Sequence, residues 1–273
     1  MKRRITVLLL FSLITVGMAA QRAYETPLYP DGPRKSNGDP SDTAKVWIYL
    51  PEARLNTGRA VVICPGGAYE HLALQHEGHE WASFLNNQGI AAIVLKYRMP
   101  NGKPEIPIAD AEAAIRLVRH NAQSWHVNAD QVGIMGFSAG GHLAATVATQ
   151  AKKEAAPNFQ ILFYPVITMM HGFTHEGTHD NFLGKGSKKR VEKEYSADQQ
   201  VTRMTPRAWI ALCDDDHVVL PANGANYYME LYRHDVPASL HVYPDGGHGW
   251  GSSIAFKYHI EMIMDLKAWL NSF

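Results

Sequence analysis

The chain has 273 residues, with 26 Lys and Arg against 26 Asp and Glu, and 46% of its residues are hydrophobic. That bounds it to one domain of moderate size, or at most two small ones. A formal net charge of zero offers no basic excess of the kind that draws a protein to nucleic acid or to an anionic membrane surface.

Residues 1–20 read as a secretory signal peptide. Lys2-Arg3-Arg4 precede an apolar run from Ile5 to Val16, and the small residues Gly17, Ala19 and Ala20 place cleavage after Ala19 or Ala20. The run is too short for a membrane span, and no cysteine near the cleavage point offers a lipid anchor. The expected location is periplasmic or secreted, with no stable membrane insertion after cleavage. Residues 21–44, rich in Pro, Gly, Asp and Ser, are expected to form an extended surface arm.

From residue 45 to 273 the pattern is a single α/β domain. Lys45–Leu50 reads as an edge strand, and Arg59–Cys64 and Ile90–Tyr97 as buried strands with a helix over His79–Gln88 between them. Helical spacing covers Ile108–Trp125, with Ile115, Val118 and Ala122 on one face. The apolar run Val132–Phe137 is followed at once by an Ala- and Leu-rich helix. Strands at Phe159–Tyr164, Ala208–Cys213 and Ser239–Tyr243 alternate with helices at Asn223–His234 and Ile254–Leu270. This alternation predicts a mostly parallel sheet flanked by helices on both faces. The polar, Gly-rich stretch from about 168 to 207 interrupts it between two strands and is expected to be an active-site cap. In such a sheet Cys64 and Cys213 end strands three places apart, roughly 14 Å at about 4.8 Å per strand. A disulfide needs Cα atoms within about 7 Å, so both are expected as buried free thiols.

The chemistry centres on Gly136-Phe137-Ser138-Ala139-Gly140, a G-x-S-x-G sequence between a strand and a helix. That is the context of a nucleophile elbow, in which the serine sits in a strained turn and the glycines keep strand and helix from colliding with it. The helix N-terminus would favour negative charge developing there. Triads of this type run Ser, then Asp or Glu, then His along the chain. The histidine is His248, in Tyr243-Pro244-Asp245-Gly246-Gly247-His248-Gly249-Trp250, a Gly-flanked loop after a strand. The acid lies in Cys213-Asp214-Asp215-Asp216. Three adjacent carboxylates do not all point inward, because like charges raise one another's pKa. Counting back from Leu220 and Pro221 selects Asp216, with Asp215 as the alternative. For the oxyanion hole, Ala139 follows the nucleophile, and the loop Gly66-Gly67-Ala68 supplies a second set of backbone donors, Gly67 and Ala68. Tyr69 and Trp250 follow these motifs and are candidates to wall the cleft.

His175-Glu176-Gly177-Thr178-His179 spells H-E-x-x-H, which holds zinc only on a helix. Gly172, Gly177 and Gly184 surround it, no apolar helical period runs through it and no third ligand follows at a fitting spacing, so it reads as accidental. His71, His76 and His79 read as loop and helix-start residues near the cleft, not ligands.

Arg116-Leu117-Val118-Arg119, the run Gly136 to Ala144, Tyr164-Pro165-Val166-Ile167, Asn181-Phe182-Leu183-Gly184, Pro237 to Tyr243 and Gly246 to Gly251 resemble the exported bacterial α/β-hydrolase esterases grouped with acetyl xylan esterases. The resemblance covers most of residues 45–270 and implies the α/β-hydrolase fold, Ser138 as nucleophile, Asp216 as acid and His248 as base. Ala68 stands where a third glycine is common and Leu220 where proline is usual. The implied function is a serine esterase removing small acyl groups from a hemicellulose such as xylan, with an oligosaccharide ester as substrate and no metal or cofactor. The competing readings are a serine peptidase of the prolyl-oligopeptidase type, which usually carries a propeller domain, and a catalytically silent glycan-binding protein on the same scaffold.

Overall fold

The computed structural model describes residues 22–273, so the expected leader at 1–20 lies outside the described residues. In chain order the elements are β1 (Arg22–Pro27), β2 (Lys45–Leu50), β3 (Arg59–Cys64), α1 (Glu80–Asn87), β4 (Ile90–Lys96), α2 (Glu105–His120), α3 (Ala122–Trp125), β5 (Val132–Phe137) and α4 (Ser138–Gln150). They continue with β6 (Phe159–Phe163), α5 (Glu176–Leu183), α6 (Lys189–Glu194), β7 (Arg207–Cys213), α7 (Ala222–Arg233), β8 (Ala238–Tyr243) and α8 (His259–Leu270). The strands form one sheet in the order β1-β2-β4-β3-β5-β6-β7-β8. β2 runs antiparallel to both of its neighbours, and every pairing from β4 to β8 is parallel.

Because both faces of the sheet are covered, its central strands are apolar throughout rather than alternating. Along β3, Ala60, Val62 and Cys64 join one core with α2, α4 and α7, while Val61 and Ile63 join the other with α1 and α8. Cys64 and Cys213 lie on strands three places apart and in opposite cores, and both are free and buried. Burial pushes the Cys64 thiol up and the Cys213 thiol up to about 12, which keeps both protonated and inert.

Three sequence expectations are corrected. Lys45–Leu50 is not the edge, because Arg22–Pro27 pairs outside it; a polar segment can add a strand through its main chain alone, so part of the 21–44 arm is sheet. The helix expected at 108–125 starts earlier, at Glu105, where Pro104 and Pro107 fit a first turn whose N–H groups have no intrahelical partner. It ends at His120, ahead of the separate turn Ala122–Trp125. The closing helix starts at His259, and Ile254 is exposed in the turns before it.

The arm is fastened by a buried ion pair. Arg98 reaches Asp110 through Nη2 at 2.6 Å and Nε at 3.0 Å, the Arg98 backbone N–H donates to the same carboxylate, and the Tyr29 hydroxyl donates to it at 2.8 Å. Removing one partner leaves an uncompensated buried charge. Asp110→Ala is therefore expected to lower unfolding free energy by about 3–5 kcal/mol in urea titration.

Candidate active site

The strand order turns back between β3 and β5, so the loops leaving their carboxyl ends lie side by side, where open α/β sheets open a crevice. Ser138 occupies the turn from β5 into α4 with φ 51°, in the left-handed region. The strain is held by backbone contacts that only glycine permits. A Cβ on Gly136 would collide with the Gly140 carbonyl, and one on Gly140 with the carbonyls of Cys64 and Pro65. A Cβ on Gly66 would lie 2.8 Å from the Phe137 carbonyl and 3.0 Å from Ser138 Cβ, which places the β3 loop directly against the serine.

Asp216 and His248 converge on Ser138 from the far side. His248 Nε2 lies 2.8 Å from Ser138 Oγ, and its Nδ1 lies 2.7 Å from Asp216 Oδ2. The other Asp216 oxygen accepts the N–H groups of Val218 and Val219, each at 2.9 Å. Asp216 is buried, whereas Asp214 and Asp215 are exposed. Asp215 instead accepts the N–H of Gly247 at 2.8 Å and of Gly246 at 3.2 Å, which anchors the loop before His248 and holds its carboxyl below the usual range. Past His248, the Gly251 N–H donates to the Tyr164 hydroxyl at 2.8 Å, and the Tyr164 ring packs edge-on to the imidazole.

The oxyanion candidates are partly exposed at Gly67 and Ala68, with Ala139 buried at the head of α4. Gly67 and Ala68 have φ of 129° and 55°. The Gly66 N–H is taken by Glu77 Oε2 at 2.8 Å, and among the described residues no acceptor faces the N–H groups of Gly67 and Ala68. Ala139 is in the first turn of its helix, where N–H groups lack an intrahelical partner.

Tyr69 and Trp250 do not wall a cleft. Tyr69 is 2% exposed, stacked on Phe182, and its ring enters the core because φ 59° turns the chain inward after Ala68. Trp250 is 6% exposed and stacked on Phe256 at 4.2 Å. His71 and His76 stay near the surface, and His79 Nδ1 pairs with the Tyr49 hydroxyl.

The insertion at 168–207 carries α5 and α6 and packs on the oxyanion loop: Asn181 donates to the Ala68 carbonyl at 2.9 Å. The H-E-x-x-H segment is helical after all. His175 caps α5 through Thr178, Gly177 sits inside its first turn, and Gly184 ends it at φ 85°. The two motif histidines nevertheless part. His175 lies under the influence of His248 and Asp216, with burial the main cause lowering its pKa, while His179 is fully buried elsewhere.

Sequence reasoning missed Glu77, Tyr164 and His142. Glu77 holds both Gly66 and the Tyr164 hydroxyl, and Tyr164 in turn holds Gly251, joining the oxyanion loop to the His248 loop. His142, one turn beyond Ser138, accepts the Tyr69 hydroxyl at Nδ1 and donates from Nε2 to the Tyr195 carbonyl. Both bonds suit the neutral ring, and burial lowers its pKa to about 4. Between about pH 6.5 and 4 the unfolded chain binds a proton that the folded chain refuses, so stability falls as pH falls. The expected loss is about 3 kcal/mol across that window. Denaturant midpoints measured at each pH should show this slope, and His142→Gln should flatten it.

A serine hydrogen-bonded to a histidine and through it to an aspartate, on this parallel sheet, defines an α/β hydrolase. The chain belongs to the BD-FAE family, whose model matches residues 46–231. It is 43% identical over 233 residues to an acetylxylan esterase of Xylanibacter ruminicola, covering 84% of this chain and 48% of that protein. It is 30% identical over 204 residues to endo-1,4-beta-xylanase B of Butyrivibrio fibrisolvens, covering 69% of this chain and 32% of that one. The chain thus spans less than half the length of these curated relatives. The solved acetyl ester-xyloside bifunctional hydrolase from Caldicellulosiruptor lactoaceticus superposes with a TM-score of 0.85 at 31% identity, over 93% of this chain and 98% of that one.

Proposed function

We propose that the protein is a serine carboxylic-ester hydrolase that removes acetyl and similarly small acyl groups from xylan-type oligosaccharides. The observation that carries this reading is the hydrogen-bonded line from Ser138 Oγ through His248 to Asp216, at 2.8 and 2.7 Å. Similarity to an acetylxylan esterase and to an acetyl ester-xyloside hydrolase supports the substrate class.

In this mechanism Ser138 Oγ attacks the ester carbonyl while His248 Nε2 takes its proton. Asp216 holds the Nδ1–H tautomer and stabilises the imidazolium. The N–H groups of Ala139 and of the Gly67–Ala68 loop face the developing oxyanion, assisted by the N-terminus of α4. Collapse expels the sugar hydroxyl with the proton from His248, leaving an acyl-serine. Water deprotonated by His248 then releases the carboxylic acid. No residue in this sequence of steps calls for a metal or cofactor. Incubating the protein with acetylated xylo-oligosaccharides and quantifying acetate tests the reading; turnover of p-nitrophenyl acetate without acetate release from the sugars would reject the substrate and keep the chemistry.

The same proposal includes export. The Lys2-Arg3-Arg4 start, the apolar run and the small residues before Gln21 support cleavage after Ala19 or Ala20. N-terminal sequencing of the mature protein from periplasm and medium tests it, and an intact Met1 on cell-associated protein would reject it.

A further inference from the structure

We propose that His171, Glu176, His179 and Glu192 form a structural zinc-type site within the cap, separate from the triad. His171, Glu176 and His179 offer ligand atoms that all lie within 4.8 Å of one another. Glu192 Oε1 lies 3.6 Å from Nε2 of His171 and 3.6 Å from Nε2 of His179. That is long for a hydrogen bond, but close to the roughly 3.3 Å that separates two ligands each about 2.0–2.1 Å from a shared tetrahedral ion. The other nitrogen of each ring is already held by a carboxylate, His171 Nδ1 by Glu176 at 2.9 Å and His179 Nδ1 by Asp180 at 3.0 Å, while His179 Nε2 meets the Ser187 hydroxyl at 3.1 Å, a contact that an ion would replace. Carboxylates behind imidazoles orient them and raise their basicity in metal sites. Glu176 can serve in this way or turn to ligate directly, since it is exposed.

Charge balance points the same way. Glu192 is 3% exposed and His179 is fully buried. Among the described residues Glu192 has no Lys or Arg partner; its contacts are the two imidazoles and the Ser187 hydroxyl, which donates to it at 3.1 Å. A buried carboxylate demands a compensating positive charge. Two imidazoles with carboxylates suit zinc and its first-row neighbours rather than calcium or magnesium, which take oxygen ligands. The ligands differ from those the linear H-E-x-x-H pattern suggests, since His175 is replaced by His171 upstream and by Glu192 from α6.

Such an ion would tie the loop after β6, α5 and α6 into one unit. α5 carries Asn181, bonded to the Ala68 carbonyl, and Phe182, stacked on Tyr69. The expected effect is therefore on cap stability, with ester turnover at 25 °C surviving chelation. The test is calorimetric titration of the full, chelator-stripped chain with zinc chloride, alongside thermal melts. One equivalent should bind with micromolar or tighter affinity and raise the melting midpoint by about 5 °C or more at 100 times Kd. His171→Ala, an exposed change that leaves folding intact, and Glu192→Gln should each weaken binding at least tenfold and remove the shift. Absence of saturable binding in the wild type would overturn the proposal and leave a hydrogen-bonded cluster. So would unchanged binding in His171→Ala, or loss of binding in His248→Ala, which would place the zinc on the triad.

Discussion

Ser138→Ala is expected to lower kcat for p-nitrophenyl acetate by about 10⁴–10⁶-fold while the protein stays folded. The substitution removes Oγ alone. Ala can occupy the turn at φ 51° at about the same steric cost as Ser, because the collisions there are avoided by Gly136 and Gly140, not by the serine. The residual rate should come from backbone donors and substrate binding, which persist without the nucleophile. A melting curve close to wild type together with the collapsed rate is the expected pair of results. Near-normal turnover by folded, pure Ser138→Ala protein would refute the acyl-serine mechanism.

Asp216→Asn is expected to cost about 10⁴-fold in kcat. An amide nitrogen at the Oδ2 position would present a donor to His248 Nδ1, and the ring would favour the tautomer that cannot accept the Ser138 proton. If instead the amide oxygen faces the ring, the NH2 group meets the N–H groups of Val218 and Val219, which now bond the carboxylate. Either orientation loses one set of bonds. Asp215→Asn keeps an acceptor for one of the two glycine N–H groups and does not touch the imidazole, so it should retain turnover within about tenfold, with Asp214→Asn nearer wild type. Equal losses in Asp215→Asn and Asp216→Asn would show that the loop, not the imidazole, is what the acidic run serves.

The elements that converge on Ser138 were legible because each is announced locally. The elbow is written as an apolar run, two glycines and a small-residue helix, and His248 lies between glycines just after a strand. The mostly parallel sheet followed from continuous apolar strands, since strands covered on both sides cannot alternate. What failed needed the third dimension. Tyr69 and Trp250 adjoin the site in sequence, but adjacency does not say which way a ring points, and positive φ at Ala68 and Tyr69 turns that side chain into the core. Helix α5 carries no helical signal in the sequence, because Gly172, Gly177 and Gly184 surround its H-E-x-x-H run and no apolar period marks it. Gly172 precedes it and Gly184 terminates it, so they punctuate the helix rather than interrupt it. Glu77 was invisible because its partners, Gly66 and Tyr164, belong to different loops, and the pairing of Asp110 on α2 because its partner Arg98 lies in the segment after β4.

The loop carrying His248 is pinned on both sides, by Asp215 at Gly246 and Gly247 and by Tyr164 at Gly251, with the Ser252 N–H bonded in turn to the His76 carbonyl. A general base fixed in this way is ready before the ester arrives. Reaction progress should then begin without a lag and without activation at lipid interfaces. Discrimination among esters then falls to the fit of the substrate at the entrance, because the His248 loop itself has no closing movement left to reward the correct one.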